Sequence, residues 1–278
     1  MIRLITLIFV HALLIACNGI PPYDGAAYED TARSAHEFNV FDHNVNDQNI
    51  HGVHTGKLSN AAILFIHGAP GDWRAYGPYL GDKDLNAQAF MIGVDRPGYG
   101  GSGAGMPVLG LHDQAELIIN AALQKHNGPF LLVGHSYGGP VQIQIALDFP
   151  EHVSGIVMLA GAIDPITQKS RWYHHLAGTF MGQWILPKAL DVTTQEMLSL
   201  PAELHKQQAR LTEVNHPITL IQGEKDWLVP LENAAYAQRH LTNADLEVMI
   251  LPKQGHFIPW EQYDLVKAKI LNHLKNAL

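Results

Sequence analysis

Short runs of apolar residues alternate with longer amphipathic stretches along most of this chain. A continuous apolar run bounded by turn residues is typical of a strand that is covered on both faces of a sheet. The sequence predicts such strands at Ala61–Ile66, Phe90–Val94, Phe130–Val133, Val153–Leu159, Ile218–Ile221 and Leu246–Leu251, and weaker strands at Phe38–Phe41 and His51–Thr55.

Most of the stretches between these runs space their apolar residues as helices do. The helical patterns lie near Trp73–Leu80, Leu111–His126, Pro140–Phe149, Glu232–Leu241 and Trp260–Ala277. Alternating strands and helices indicate an α/β fold, in which helices cover a mostly parallel sheet. Because 278 residues, 47% of them hydrophobic, can bury one substantial core, we expect one main domain over residues 37–278.

Charge and composition exclude some functions. A formal net charge of −8, without clusters of Lys and Arg, argues against a nucleic-acid partner, which needs a basic face. The 17 histidines are scattered, and none belongs to a His-Glu-x-x-His pattern. We therefore predict no metal site and no organic cofactor.

The first 17 residues have the pattern of an export signal. Met1-Ile2-Arg3 is a short cationic start, and the almost wholly apolar Leu4–Ala16 is followed by Cys17. This apolar run is shorter than the roughly 20 residues that a membrane-spanning helix needs. Residues 18–36 are rich in Gly, Pro, Asp and small residues without a sustained apolar period, so we predict a tether there.

The sequence Leu14-Ile15-Ala16-Cys17 resembles the lipobox of bacterial lipoproteins. The resemblance implies that residues 1–17 are a lipoprotein signal peptide whose Cys17 is acylated. The protein would then lie in the bacterial cell envelope, facing the periplasm or the exterior, with a lipid anchor as its only contact with a membrane. The alternatives are an ordinary secretory peptide that is cleaved nearby and an uncleaved anchor.

A serine flanked by glycines follows the predicted strand Phe130–Val133. The sequence Gly134-His135-Ser136-Tyr137-Gly138-Gly139 contains Gly-x-Ser-x-Gly between a strand and a helical pattern. This context is typical of a nucleophile elbow, a strained turn that projects the Ser136 hydroxyl above the edge of the sheet. The alternative is a tight turn that contains a serine by chance.

Chemistry in parallel sheets gathers at the carboxyl ends of the strands. The first such end is followed by His67-Gly68-Ala69-Pro70-Gly71, in which the Ala69 amide is a candidate oxyanion donor. The amide of Tyr137, directly after the nucleophile, is the second candidate. A simple turn between strand and helix is the alternative for the His67–Gly71 loop.

The loop after Val94 formally satisfies the dinucleotide pattern Gly-x-Gly-x-x-Gly, with Gly98, Gly100 and Gly103. Such a site needs a glycine directly after the strand and a helix that begins at once. Here Asp95, Arg96 and Pro97 intervene and the helical pattern begins only near Leu111. We predict a structural loop that borders the pocket, braced by a pair between Asp95 and Arg96.

A serine nucleophile needs a base, and the base needs an orienting carboxylate. Asp226 follows the predicted strand Ile218–Ile221, and His256 follows Leu246–Leu251. The resulting chain order of Ser, Asp and His is the order that α/β-hydrolases use. Glu224 and Asp164 compete with Asp226 for the role of the acid.

Five sequence blocks follow one another in the order expected of one family. They are His67–Gly71, Asp95–Gly100, Gly134–Gly139, Gly223–Asp226 and Gly255–Phe257. Together they resemble the α/β-hydrolase superfamily, and the similarity covers about Phe38–Leu274. The resemblance implies a mostly parallel central sheet flanked by helices, with Ser136, Asp226 and His256 as the catalytic residues.

Between residues 164 and 215 the alternation of strands and helices breaks. This stretch resembles the helical cap that many such hydrolases insert over the active site, where it shapes the pocket. It is rich in aromatic residues from Trp172 to Trp184.

The main functional hypothesis is a serine hydrolase that acts through an acyl-enzyme on small or medium carboxylic esters. One alternative is an aminopeptidase or amidase that resembles proline iminopeptidases, because their sequences have a block similar to His67–Gly71. Such an enzyme needs cap carboxylates for the free amine of its substrate, and Glu196 and Glu203 are the candidates. A second alternative is a non-catalytic ligand-binding protein on the same fold.

The predicted lipobox is testable in a bacterial host. We expect a metabolically supplied fatty acid to label the wild-type chain and Cys17→Ser to abolish the label, because Cys17 is the only cysteine. Fluorescence of an alkyne fatty acid after gel electrophoresis measures the label. Persistent labelling of the Cys17→Ser variant would contradict lipidation at this residue.

Overall fold

The computed structural model describes residues 38–45, 47–168 and 187–276. These residues belong to one compact unit that begins at Phe38. The predicted signal peptide and the tether over 18–36 lie outside the described residues. So does the aromatic part of the predicted cap, with Trp172, Tyr173, His174, His175, Phe180 and Trp184.

In the described part of the chain, eight strands form one sheet. They are β1 (Asn39–Val45), β2 (Gln48–Thr55), β3 (Ala62–Ile66), β4 (Phe90–Val94), β5 (Phe130–His135), β6 (Val153–Leu159), β7 (Pro217–Gly223) and β8 (Asp245–Leu251). Their order across the sheet is β1-β2-β4-β3-β5-β6-β7-β8. Among these strands, β2 runs antiparallel to both β1 and β4, and the other adjacent strands are parallel to each other. The prediction of a mostly parallel sheet is therefore confirmed.

Helices connect the strands. They are α1 (Gly77–Leu80), α2 (Lys83–Asn86), α3 (Leu111–Leu123), α4 (Gly138–Asp148), α5 (Lys188–Gln208), α6 (Glu232–His240), α7 (Ile258–Glu261) and α8 (Tyr263–Asn276), with 3-10 turns at Trp73–Tyr76, Pro150–His152 and Leu211–Glu213. The long helix α5 lies in the predicted cap region. Within residues 38–45, 47–168 and 187–276, no helix combines the length and the apolar character needed to cross a membrane.

Two predicted helices are divided in the structure. Near Trp73 a 3-10 turn precedes α1, which has Pro78 in its first turn. At the end of the chain α7 and α8 are separated by Gln262, whose backbone leaves the helical region with φ −125° and ψ 38°. The Gln262 side chain instead donates a hydrogen bond of 2.7 Å to Gln254, in the loop that carries His256.

Alternate residues of the central strands pack on opposite faces of the sheet. On one face, Leu64 and Ile66 belong to the apolar core that includes α3 and α4. On the other face, the ring of Phe65 lies 4.8 Å from that of Tyr76. Because both faces of β3, β4 and β5 are buried, these strands have the continuous apolar sequences from which they were predicted.

The close packing behind the elbow gives a testable prediction. A Cβ atom on Gly138, the first residue of α4, would overlap the carbonyl oxygen of Ile66 in the adjacent strand. We expect Gly138→Ala to lower the free energy of unfolding by about 2–3 kcal/mol, as overpacking does. Gly255→Ala is the control, since nothing lies within 4 Å of its Cβ position. It should change stability by less than about 0.5 kcal/mol. Equal urea midpoints for the two variants would contradict this account.

Candidate active site

Ser136 lies in the turn between β5 and α4. Its φ of 55° falls in the left-handed region, which a residue with a side chain adopts only under constraint. The constraint is the backbone: the Ser136 carbonyl oxygen accepts hydrogen bonds from the amides of Gly139 (2.9 Å) and Ala162 (3.1 Å). From Phe130 to Leu147 every residue is buried except Ser136. The turn therefore makes the serine the accessible residue of a buried stretch.

His256 and Asp226 form a buried pair. His256 Nδ1 lies 2.7 Å from Asp226 Oδ2, so the ring donates to the carboxylate. The other oxygen, Oδ1, accepts the amides of Leu228 (2.9 Å) and Val229 (2.8 Å), and Gln222 lies 3.3 Å from Oδ2. A carboxylate with this many donors is fixed in place, and it holds His256 with Nε2 directed away from Asp226.

The residue before the nucleophile joins Ser136 to this pair. The rings of His135 and His256 lie 4.6 Å apart, and His135 Nε2 lies 2.9 Å from the His256 carbonyl oxygen. The structure therefore brings Asp226 and His256 together and sets His256 against the neighbour of Ser136.

The two competing carboxylates bond elsewhere. Glu224 accepts the amide of Lys253 at 2.9 Å and so links the loop of Asp226 to the loop of His256. Asp164 accepts the amide of Ile166 at 2.8 Å in its own loop. Of the three candidate acids, Asp226 is the one that contacts the histidine.

The two predicted oxyanion donors flank Ser136. A Cβ atom on Gly68 would lie 3.0 Å from the Cβ of Ser136, so the loop that carries the Ala69 amide passes directly beside the serine. Tyr137 is the N-cap residue of α4, where amides have no partner within the helix. Both amides are thus on backbone that adjoins Ser136.

His67 holds the first of these loops together. Its Nε2 accepts the amide of Arg96 at 2.9 Å, so Nδ1 carries the proton and donates to the Gly68 carbonyl oxygen at 2.6 Å. Burial, followed by the positive charge of Arg96, lowers the pKa of His67 to about 3. The ring is therefore neutral and acts as a structural link.

Arg96 lies beneath the same loop and is completely buried. Its side chain donates to the carbonyl oxygens of His67 (2.9 Å) and Gly68 (3.2 Å). The guanidinium carbon lies 4.8 Å from the ring centre of Tyr99 and 4.4 Å from that of Tyr137. One cation thus contacts both the His67–Gly71 loop and the residue after Ser136.

Glu196 in α5 neutralises this cation. Arg96 donates to both of its oxygens, at 2.6 and 3.1 Å, and neither side chain is exposed. Tyr99 (2.6 Å) and Gln114 (3.1 Å) donate to the same carboxylate. Burial opposes the charge on Arg96, but Glu196 outweighs it and raises the pKa of Arg96 above its ordinary value. The pair therefore links α5 to the His67–Gly71 loop, whose carbonyl oxygens Arg96 also contacts.

The predicted pair between Asp95 and Arg96 is wrong. Asp95 instead accepts two amides, those of Trp73 and Gly101, each at 2.8 Å. Burial, followed by the nearby Asp72 carboxylate, raises the pKa of Asp95 to about 7. Asp95 therefore contacts the backbone of Trp73 and Gly101, while Arg96 contacts that of His67 and Gly68.

The glycines of the formal dinucleotide pattern belong to turns. Gly98, Gly100 and Gly103 have φ of 89°, 48° and 68°, a conformation that favours glycine. The next helix begins at Leu111, as the sequence indicated. Among the described residues, no group of three His, Cys, Asp or Glu side chains is placed to hold a metal ion.

The sequence contains a pattern that indicates burial of Glu196. Val192, Glu196, Leu200 and Leu204 are spaced by four residues and are all buried on α5. A carboxylate on such an apolar stripe needs a buried cation as its partner. His135 gave a similar signal, because it is a polar residue at the end of a wholly buried strand.

Comparisons with known proteins agree with this architecture. A family model described as the alpha/beta hydrolase fold matches residues 61–184. Epoxide hydrolase 3 of Mus musculus is 23% identical, and the match covers 76% of this chain and 69% of that protein. The 2-hydroxy-6-oxononadienedioate/2-hydroxy-6-oxononatrienedioate hydrolase of Burkholderia vietnamiensis is 24% identical, and the match covers 81% of this chain and 91% of that protein.

The crystal structure of a membrane phospholipase A, described as a novel bacterial virulence factor, is similar with a TM-score of 0.67 and 19% identity. The match covers 100% of this chain and 99% of the phospholipase chain. At this identity the likeness establishes the fold. The chain has the α/β-hydrolase fold, and the family match and the hydrolase relatives support the superfamily that its sequence blocks resemble.

The buried Arg96–Glu196 pair has an exposed counterpart for comparison. Glu196→Ala leaves a buried cation without its carboxylate, so we expect the free energy of unfolding to fall by about 3–5 kcal/mol. Glu213→Ala removes one of two carboxylate partners of Arg210, which also pairs with Asp148. Because the Arg210 and Glu213 side chains are 40% and 53% exposed, this change should cost less than about 1 kcal/mol. Urea denaturation measures both. Similar losses in the two variants would show that the buried pair has no special role.

Proposed function

We propose that this protein is a serine hydrolase that acts on small or medium carboxylic esters through an acyl-enzyme. The observation that carries the proposal is the buried bond of 2.7 Å between His256 and Asp226, beside the elbow where Ser136 is the accessible residue. A buried, oriented imidazole next to an accessible serine is the arrangement that nucleophilic catalysis requires.

In the first half of the reaction, Ser136 Oγ attacks the ester carbonyl carbon while His256 Nε2 takes the hydroxyl proton. Asp226 stabilises the imidazolium that forms and keeps Nδ1 as the donor. The negative charge on the carbonyl oxygen falls between the amides of Ala69 and Tyr137, each of which contributes about 3 kcal/mol to such a transition state. The imidazolium then protonates the departing alcohol, which leaves an acyl group on Ser136.

In the second half, water replaces the alcohol. His256 Nε2 takes a proton from the water molecule, whose oxygen attacks the acyl carbon and forms a second oxyanion at the same two amides. When this intermediate collapses, the proton passes from His256 to Ser136 Oγ and the carboxylic acid is released. The same three side chains therefore serve both halves, and no cofactor enters the scheme.

Ester substrates fit the cap better than substrates with a free amine. An aminopeptidase needs an unengaged carboxylate near its substrate, and Glu196 and Glu203 were the candidates. Glu196 is buried on Arg96, while Glu203 accepts the amide of Leu111 (3.1 Å) and pairs with Lys206 (2.6 Å). Both carboxylates are already neutralised, which favours an uncharged acyl substrate.

Exposed apolar residues near the carboxyl ends of the strands also support an acyl substrate. Most of the large apolar residues that are exposed in the described chain lie in the segments that follow β4, β6, β7 and β8. They are Met106, Leu109, Ile166, Trp227, Leu231 and Trp260. Exposed apolar side chains in segments that follow the strand ends are available to contact an apolar acyl group.

The names of the relatives do not select one substrate, since they include an epoxide hydrolase and a hydrolase of oxo-dienedioates. The nucleophile is more informative. Epoxide hydrolases of the superfamily that this chain resembles use an aspartate as the nucleophile at the elbow, whereas this chain has Ser136 there. An oxygen nucleophile on serine is suited to acyl transfer.

We also propose that the enzyme is held in the bacterial cell envelope by lipid on Cys17. The support is the sequence Leu14-Ile15-Ala16-Cys17, followed by residues 18–36, which separate the cysteine from the start of β1 at Asn39.

A direct test uses the full chain and a matched pair of substrates. We expect wild type to hydrolyse p-nitrophenyl butyrate, and to prefer it to prolyl p-nitroanilide by at least about 100-fold in kcat/KM. Ser136→Ala should lower ester turnover by about 10⁴-fold or more, and a fluorophosphonate should label wild type but not this variant. Unchanged ester turnover in Ser136→Ala would refute the mechanism. Preference for the anilide would favour the aminopeptidase.

A further inference from the structure

His135, the last residue of β5, is a buried histidine that the proposed reaction does not use as an acid or a base. Only 5% of its surface is exposed. Its Nε2 lies 2.9 Å from the carbonyl oxygen of His256, and its ring packs at 84° to that of Trp260, with 5.3 Å between the ring centres. A buried polar ring is kept in a protein interior by its hydrogen bond, so the bond to His256 indicates what His135 does.

The protonation of His135 follows from its partner. A carbonyl oxygen can only accept, so Nε2 must carry a proton and donate it to His256. Burial, followed by the charge of His256, keeps the pKa of His135 well below its ordinary value. The ring is therefore a neutral and fixed N–H donor. Its neutrality matters, because a second cation at 4.6 Å would oppose the imidazolium that His256 forms during catalysis.

The loop that carries His256 has a long distance to cover. It follows β8, which is separated from β5 by β6 and β7 in the sheet. With neighbouring strands about 4.8 Å apart, the loop must return about 14 Å to reach the end of β5. Two contacts secure it on the β7 side: Lys225 donates to the Gln254 carbonyl oxygen at 2.8 Å, and Glu224 accepts the amide of Lys253.

The contact with His135 secures the same loop on the β5 side. The His256 carbonyl oxygen accepts one bond from the amide of Ile258, at 3.0 Å, and one from His135. The first bond lies within the loop and cannot fix it to the sheet. The second bond joins the backbone of His256 to the residue that immediately precedes Ser136.

We infer that His135 is a positioning residue that fixes the backbone of His256 relative to Ser136, an inference that rests on the proposed serine-hydrolase function. Because His135 and Ser136 are consecutive, one dipeptide at the end of β5 supplies the nucleophile and the support for its base. The Asp226 carboxylate orients the ring of His256, and His135 fixes the position of the His256 backbone that carries this ring. Such positions matter, since a displacement of about 1 Å can cost about 100-fold in rate.

Two variants separate the N–H donor from the ring. His135→Gln keeps an N–H donor at the place of Nε2 without the ring, and His135→Phe keeps a ring without the donor. We expect His135→Phe to lower both kcat for p-nitrophenyl butyrate and the rate of Ser136 labelling by a fluorophosphonate about 10- to 100-fold, with KM within about 2-fold. His135→Gln should stay within about 3-fold of wild type. Equal losses in both variants, or wild-type rates in His135→Phe, would overturn the inference.

A double variant tests whether His135 acts through His256. In a His256→Ala background, adding His135→Phe should change the residual rate by less than about 2-fold, because the base that it positions is gone. A further loss of 10-fold or more would mean that His135 acts in another way. Should His135→Phe fail to fold, His135→Met replaces it, since methionine also lacks an N–H donor.

The two readouts distinguish failure of this inference from failure of the proposed function. Labelling of Ser136 needs the serine and its base but no particular substrate. If wild type is labelled but does not hydrolyse esters, the ester assignment fails and the labelling rates still decide the role of His135. If Ser136 in wild type is not labelled at all, both proposals fall.

Discussion

Arg96 carries a positive charge in a place that water does not reach, since neither its side chain nor that of Glu196 is exposed. Leaving one member of a buried ion pair without its partner costs about 3–5 kcal/mol, which is a large part of a protein's total stability. The guanidinium must therefore keep its partners, which are the carbonyl oxygens of His67 and Gly68, the Gln114 side chain, the Glu196 carboxylate and the rings of Tyr99 and Tyr137. Loop, elbow and cap helix are consequently held in one arrangement around a single cation.

This arrangement gives α5 a fixed position. Moving the helix away from the sheet would separate Glu196 from Arg96, and breaking a buried pair in this way costs about 3–5 kcal/mol. Gln207 adds a second attachment, because it donates to the Pro140 carbonyl oxygen of α4 at 2.9 Å. Contacts at Glu196 and at Gln207, about three turns apart, therefore hold α5 against the rest of the described chain.

The sequence predicted what local signals specify. Apolar runs located the strands of the sheet to within a few residues, and the placement of Ser136, Asp226 and His256 after strand ends followed from the same runs. Contacts between distant segments could not be predicted in this way. Arg96 and Glu196 are 100 residues apart, and no sequence pattern near Arg96 indicates that Glu196 is its partner. Asp95 is adjacent to Arg96 in the sequence, but its carboxylate accepts the amides of Trp73 and Gly101 instead.

The distribution of polar groups limits how this site can choose a substrate. Its buried polar groups largely bond to one another: Glu196 to Arg96, Asp226 to His256, and His135 to the His256 backbone. Recognition of the acyl group then depends on shape and apolar contact. One methylene group in an apolar pocket changes discrimination by only about 1–3 kcal/mol, whereas an unpaired buried polar group can reject a ligand far more strongly. For the proposed ester hydrolase, this fixed polar network favours discrimination by the shape of the acyl group over discrimination by its charge.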